Sequence, residues 1–532
     1  MRDFETPGRS LVVAENGMAA TSHPLSTLTA VRVLQAGGNA MDAAVAACAV
    51  QCVVEPGSTG IGGDCFTLYA PGGRAADLVA YNGSGTAPAA ATAAWYRERG
   101  VTAIERTSPH AVTVPGAVEA WSRLLEDHGT LSLSDALRPA IRLARDGYPI
   151  APRVHHDWTA QAAILAGDPN ARRIFLPGGA VPAMGSLHRQ PELADTLELI
   201  ADRGPAAFYE GPVAADMVDR LAELGGLHTL ADFAGYRGEY VATLHAAFRG
   251  HDVYEVSGNG QGIIALMILN VLSRFEPGSD PLHVDRLHVE TEATRLCYAI
   301  RDRYLADQHQ GAPLPVKWML SDALADELAS RIDLRRALDP VPVLRATEHK
   351  DTVYIAVVDR DRNAASFINS LFYPFGSGIV GPRSGVMLHN RGQSFVLEAD
   401  HPNAIAPGKR PLHTIIPGML AKDGRIAMPF GVMGGHYQAM GHAHLVSKVL
   451  DYGLDLQSAI DLPRLFPRPE TGVLDVERPL RQVAGDELAR RGFKVGAPAT
   501  PIGGGQAIWI DWERGTLLGA SDPRKDGSAL GY

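Results

Sequence analysis

Cysteine is scarce in this chain of 532 residues: only Cys48, Cys52, Cys65 and Cys297 carry thiols, and no two of them form a C-x-x-C pair. Cys48 and Cys52 stand one helical turn apart inside an apolar run, so buried thiols are expected rather than a disulfide framework or a zinc site. Positive charge is also in short supply. The net charge is −10 and no lysine- or arginine-rich run occurs, which argues against a nucleic-acid partner. Long hydrophobic runs are missing: Ala43 to Val54 is the longest near-apolar stretch, too short for a bilayer span. Met1 to Ser10 shows no apolar signal core, so the expectation is a cytoplasmic protein with no membrane partner.

Nucleotide and metal motifs are incomplete in the same way. Neither Gly60-Ile61-Gly62-Gly63 nor Gly258-Asn259-Gly260-Gln261-Gly262 completes G-x-G-x-x-G, and no phosphate-loop or G-x-S-x-G motif occurs. His442 and His444 sit two apart in a helical stretch, where side chains face away from each other. His436 and the His155-His156-Asp157 cluster make no better case. No cofactor and no metal are expected.

What the chain does have is a composition fit for a large core. Hydrophobic residues make up 46% and charged residues 20%, so two or more layered lobes are expected and disorder is not. Leu25 to Gln35 reads as an amphipathic helix ended by Gly37-Gly38, and Asn39 can cap a buried helix from Met41 to Val54. Strands are expected near Cys65–Tyr69 and Asp77–Tyr81. From about Thr113 to Arg345 the pattern is mostly helical. Strands then return at Gly385–Leu388, Thr414–Leu420 and Ile426–Phe430, followed by a long helix from His436 to Tyr452. Sheets covered by helices follow, a layered α+β or α/β arrangement.

One residue stands out. Thr352 opens the β-prone run Val353–Asp359, just after a charged, turn-like stretch from Arg345 to Lys350. A threonine at that place gains chemical use once the peptide bond before it is cut, because it then holds a hydroxyl nucleophile and a free α-amine base together. Ala364–Leu371 is a second β-prone run, and Arg360-Asp361-Arg362 suits a three-residue hairpin loop. Pairing Asp359 with Asn363 and counting outward sets Thr352 opposite Ser370, with Cβ atoms about 4.5–5.5 Å apart. The bland alternative is an ordinary strand threonine and a turn-proximal serine.

Dispersed motifs shift that balance. Gly37-Gly38-Asn39-Ala40-Met41-Asp42-Ala43-Ala44-Val45-Ala46, Val114-Pro115-Gly116, Asp302-Arg303, Lys409-Arg410-Pro411-Leu412, Gly434-Gly435 and Gly519-Ala520-Ser521-Asp522-Pro523-Arg524 occur in that order. On these residues the chain resembles the γ-glutamyltranspeptidase family of N-terminal-nucleophile hydrolases. The resemblance implies an α+β, four-layer αββα sandwich, made as one precursor that cuts itself between Asp351 and Thr352. Residues 1–351 and 352–532 would then be two subunits of one interleaved fold that stay associated, with a dimer of that heterodimer as a further expectation. It also implies roles: Thr352 as nucleophile, Ser370 as its hydrogen-bonding partner, Gly434 and Gly435 as backbone donors to the oxyanion.

The substrate-binding positions depart from the γ-glutamyl pattern. Ser84, in Asn82-Gly83-Ser84-Gly85, falls where the family has an arginine. Ser394 falls at the acid that grips an α-ammonium group, and Arg391 at a glutamine. His413-Thr414 replaces a paired-serine element, and Phe372 an asparagine. Losing an acid and gaining an arginine favours a substrate carboxylate over an amino-acid head group. The set looks like the branch that includes oxamate amidohydrolase, which implies hydrolysis of a small carboxylate-bearing amide such as oxamate, with Asn82, Ser84, Arg391, Ser394, His413 and Thr414 around the substrate. Glutathione hydrolase or γ-glutamyltransferase activity, cephalosporin (glutaryl) acylase activity, and an uncleaved binding protein remain as alternatives. Each substrate position also has a plain reading: Arg391 pairs with a structural carboxylate, His413 is a core histidine, and Asn82 and Ser84 shape a turn.

Overall fold

A computed structural model of the chain describes residues 5, 8–310, 313–339 and 352–532. The architecture is mixed α/β and rests on two seven-stranded antiparallel sheets. The first runs, in spatial order, Ser528–Gly531, Met18–Thr21, Val353–Val358, Ala364–Ser370, Asp64–Ala70, Val79–Gly83 and Glu239–Val241. The second runs Val12–Ala14, Thr516–Ser521, Gly504–Asp511, Arg425–Met433, Gly418–Lys422, His251–Val256 and Thr243–Phe248. Residues after 351 supply three strands of the first sheet and four of the second, so neither part of the chain owns a complete sheet.

Alternation along the strands divides the core. Phe66, Leu68, Tyr354, Ile368, Met419 and Ile508 fill the space between the sheets. The odd positions Ile355, Val357, Ala365 and Phe367 face the Ala40–Val54 helix and its neighbours instead. That helix is buried along its whole length, and Asn39 and Asp42 close its start in a reciprocal capping box. On the far side, the helices Gly262–Leu272, Val284–Tyr304 and Tyr437–Tyr452 pack with Leu420, Met428 and Val432 of the second sheet. The four cysteines are buried and free, and among the described residues no helix is long and apolar enough to cross a membrane.

The early helices agree with expectation, at Pro24–Gln35 and Ala40–Val54. The stretch from about Thr113 to Arg345 is mostly helical, as expected, but it also holds Glu239–Val241 and the hairpin Thr243–Phe248/His251–Val256, whose two-residue turn has both Arg249 (φ 50°) and Gly250 (φ 74°) left-handed, as a type I′ turn demands. Two expectations need correction. Gly385–Leu388 is no strand, making only isolated bridges from Met387 to Val380 and from Leu388 to Gly62. Left-handed Gly376, Gly378 and Gly385 (φ 52°, 74° and 66°) turn that segment too often for a ladder. The strand placed at Thr414–Leu420 is paired only from Gly418, since Pro417 has no N–H to give.

Candidate active site

The hairpin forms in the expected register. Val353 faces Asn369 and Val358 faces Ala364, and the Asp359 N–H donates to the Asn363 carbonyl at 3.2 Å. Arg362 takes φ 61° in the loop. The Asp359 carboxylate accepts from the Asp361 and Asn363 N–H groups at 3.0 Å each and from Ala40 N–H at 2.9 Å, so the turn is tied to the first residue of the buried helix. One step beyond Val353, Thr352 Oγ1 lies 3.2 Å from Ser370 Oγ. Both residues are fully buried. Asp351 and the Arg345–Lys350 stretch lie outside the described residues.

The row continues across the sheet. Ser370 opposes Asp64, and extending the next pair one residue past Cys65–Gly83 brings Asp64 opposite Ser84. Thr352, Ser370 and Asp64 share a face with Tyr354, Ile368 and Phe66 of the row before, which are inter-sheet core. The cleft between the sheets thus turns from apolar to polar in its last row.

The second sheet closes the other side. Past Met433, Gly434 (φ 122°) and Gly435 (φ 60°) swing the chain into the Tyr437–Tyr452 helix. A Cβ on Gly434 would stand 3.0 Å from Gly503 Cα, so both conformation and space call for glycine. The Gly434 carbonyl accepts from Tyr437 N–H at 3.1 Å, inside the first helical turn. Because the peptide is planar and trans, the Gly435 N–H points the opposite way, out of the helix. The Gly435 carbonyl accepts from Gln438 N–H at 3.1 Å and Gln261 Nε2 at 2.9 Å. Gln438 Nε2 donates to Thr352 Oγ1 at 3.4 Å, which sets the positive end of the helix beside the hydroxyl pair.

A charged group adjoins the row. Arg391 is fully buried, with its guanidinium 3.9 Å over the Phe372 ring and Nη1 donating to Thr414 Oγ1 at 2.9 Å. Among the described residues its Nε and Nη2 have no hydrogen-bond partner, and Asp64 Oδ2 is 4.0 Å from Nε. Burial pulls the Arg391 pKa down to about 9, with Asp64 opposing. Phe372 itself holds a left-handed φ of 79° and donates its N–H to Ser370 Oγ at 2.9 Å. Strain of that kind concentrates at functional sites. His413 Nε2 meets Asp64 Oδ2 at 2.9 Å, and His389 Nδ1 lies 3.4 Å from the same oxygen. Burial pushes the Asp64 carboxyl up, yet the two histidines outweigh it and hold the group well below the usual carboxylate range. Burial, then the Arg391 charge, lowers the His413 pKa to about 3, so that ring is neutral.

The remaining sequence candidates divide. Asn82 and Ser84 form a closed triad with Asn259: Ser84 N–H donates to Asn82 Oδ1 at 3.0 Å, Asn82 Nδ2 to Asn259 Oδ1 at 2.9 Å, and Asn259 Nδ2 to Ser84 Oγ at 3.0 Å. They shape the wall next to Asp64. Ser394 lines a cavity of about 360 Å³ with Ile104, Arg301, Phe395, Leu397 and His436, the last of these directly following the Gly434-Gly435 turn. Sequence reasoning missed Asp64, Gln261 and Gln438. Asp64 had one legible mark, a lone carboxylate opening an otherwise apolar strand.

Known proteins give the same arrangement a context. The family model described as gamma-glutamyltranspeptidase matches residues 26–532. The chain is 36% identical to the glutathione hydrolase-like YwrD proenzyme of Bacillus subtilis, covering 98% of this chain and 99% of that one. It is 33% identical to the oxamate amidohydrolase proenzyme of Klebsiella pneumoniae over the same shares. Among solved structures, the cephalosporin acylase of Bacillus halodurans superposes with a TM-score of 0.93 at 37% identity, covering 100% of this chain and 99% of that one.

Proposed function

The chain belongs to the gamma-glutamyltranspeptidase family of N-terminal-nucleophile hydrolases, and from that premise we propose that it is an amidohydrolase that matures by cutting its own backbone between Asp351 and Thr352. Residues 1–351 and 352–532 become two subunits of one fold, read as the family's four-layer αββα sandwich. Thr352 Oγ1 attacks the preceding carbonyl, and water opens the resulting ester. The freed α-amine, with an ordinary pKa of about 7.7–8.0, then takes the proton from Oγ1 as a substrate amide is attacked. Ser370 hydrogen-bonds the nucleophile, and the Gly434 and Gly435 N–H groups receive the oxyanion. The amine leaves with the transferred proton, and water releases the acid.

The observation that carries this reading is the hydroxyl pair at 3.2 Å, flanked by a glycine turn and a helix start. The open Nε–Nη2 edge of Arg391 supports a substrate with a carboxylate near the scissile carbonyl, such as oxamate, since that edge matches a carboxylate bidentately. The cavity beside Ser394 and His436 favours a second reading, an acylase whose amide carries a bulkier group: about 360 Å³ is room for a ligand far larger than oxamate. Edman sequencing of the smaller fragment is expected to start at Thr352, and Thr352→Ala to leave one uncut chain. Specificity constants for oxamate, a glutaryl cephalosporin and glutathione separate the substrate readings. A strong preference for glutathione would overturn the carboxylate pocket and leave the nucleophile standing.

A further inference from the structure

We propose that Asp64 sets which anions the Arg391 pocket accepts, acting as a built-in counter-carboxylate that His413 holds back from the guanidinium. The inference rests on the reading of Arg391 as a carboxylate clamp and adds a residue that governs its selectivity.

A buried guanidinium needs an opposite charge close by. Asp64 is fully buried beside Arg391, but 4.0 Å from Nε is past hydrogen-bond reach. Asp64 Oδ1 accepts from Gly85 N–H at 2.9 Å and Gly116 N–H at 3.4 Å. Its Oδ2 is engaged by His413 Nε2 at 2.9 Å. His413 is fixed in turn: its Nδ1 accepts from Ile415 N–H at 3.3 Å, and its ring lies 4.7 Å from that of Phe66. With Nδ1 accepting, Nε2 carries the ring proton, so His413 donates to Asp64. The carboxylate is held to the histidine, and the Nε–Nη2 edge of Arg391 stays unpaired among the described residues.

An incoming anion at that edge gains the guanidinium but meets the Asp64 charge on its flank. An anion that makes one poor contact loses as much to Asp64 as it gains from Arg391. A planar carboxylate that takes both N–H groups side by side comes out ahead. Selectivity here is a difference between attraction and built-in repulsion.

Calorimetric titration of the purified, matured protein with succinate and with sulfate tests this. Against wild type, Asp64→Asn is expected to bind succinate at least about tenfold tighter and to narrow the succinate-to-sulfate ratio, because the flanking charge is gone. His413→Phe is expected to bind succinate at least about tenfold more weakly, as the released Asp64 moves onto Nε. In the double variant the His413→Phe penalty should vanish, since it acts only through Asp64. Equal or weaker succinate binding by Asp64→Asn, or a penalty that persists in the double variant, overturns the proposal. Should Asp64→Asn fail to fold, His413→Phe decides alone: unchanged succinate binding refutes the role, weakened binding supports it. A wild type that binds neither anion and turns over no carboxyl amide refutes the clamp itself, and this proposal falls with it.

Discussion

Two buried charged groups lie on opposite sides of the second sheet, and they are paired in opposite ways. Behind the sheet, Glu290 receives Arg286 Nε at 2.7 Å and Lys448 Nζ at 2.6 Å, while Asp451 receives Arg286 Nη2 at 2.9 Å and Arg249 Nε at 2.6 Å. His444 Nδ1 joins at 3.3 Å from Glu290. Every cation there has a carboxylate in hydrogen-bond contact; Arg286 keeps only Nη1 unmatched. Beside Thr352, and among the described residues, Arg391 has its nearest carboxylate at 4.0 Å and two nitrogens unmatched on one edge. Burial of charge does not separate structure from function in this protein. The pairing distinguishes the two: a closed network fixes helices, and an unpaired donor edge is what the proposed carboxylate clamp requires.

Mutation can break that contrast. Glu290→Gln removes the carboxylate that Lys448 contacts and one of the two that Arg286 contacts, and is expected to cost about 3–5 kcal/mol of stability, read by urea unfolding, with KM for carboxyl amides unmoved. A smaller effect of another kind is expected of Arg391→Ala: KM for anionic amides rises by about 10- to 100-fold through the lost charge-assisted bonds, self-cleavage continues, and the urea midpoint moves little. If Arg391→Ala unfolds the protein as readily as Glu290→Gln, the open edge was structural and the contrast is gone. Acid should act on the closed network through His444. Burial first, and the Lys448 and Arg464 charges with it, hold His444 neutral with a pKa of about 4, against 6.5 in the unfolded chain. The unfolded chain therefore takes up the proton first as pH falls. Stability present above pH 6.5 is lost toward pH 4. Thermal midpoints measured across that window should fall in wild type and fall less steeply in His444→Phe; parallel slopes would show that this histidine is not held neutral.

How much of this was legible in the sequence depended on distance along the chain. The hairpin that brings Thr352 to Ser370 was readable because both strands and their loop lie within 19 residues, Thr352 to Ser370, and period-two packing fixes the facing once the turn is chosen. The capped helix at Ala40 was readable for the same local reason. Asp64 was not, because its place beside Ser370 comes from a pairing between strands about 300 residues apart, which no local period encodes. Gln438 gave a weak sign, as the amide four residues past the glycine turn at a helix start. The missed hairpin at Thr243–Val256 hid inside a helix-rich stretch, although Arg249-Gly250 between two alternating runs was a fair turn signal.

The sharing of both sheets between the residues before and after position 352 has a consequence for heredity and for handling alike. Each portion is a comb whose missing teeth are on the other, so separate genes for the two would have to be translated side by side to yield anything soluble. Heating should melt both in one step, and no chromatography short of denaturant should part them.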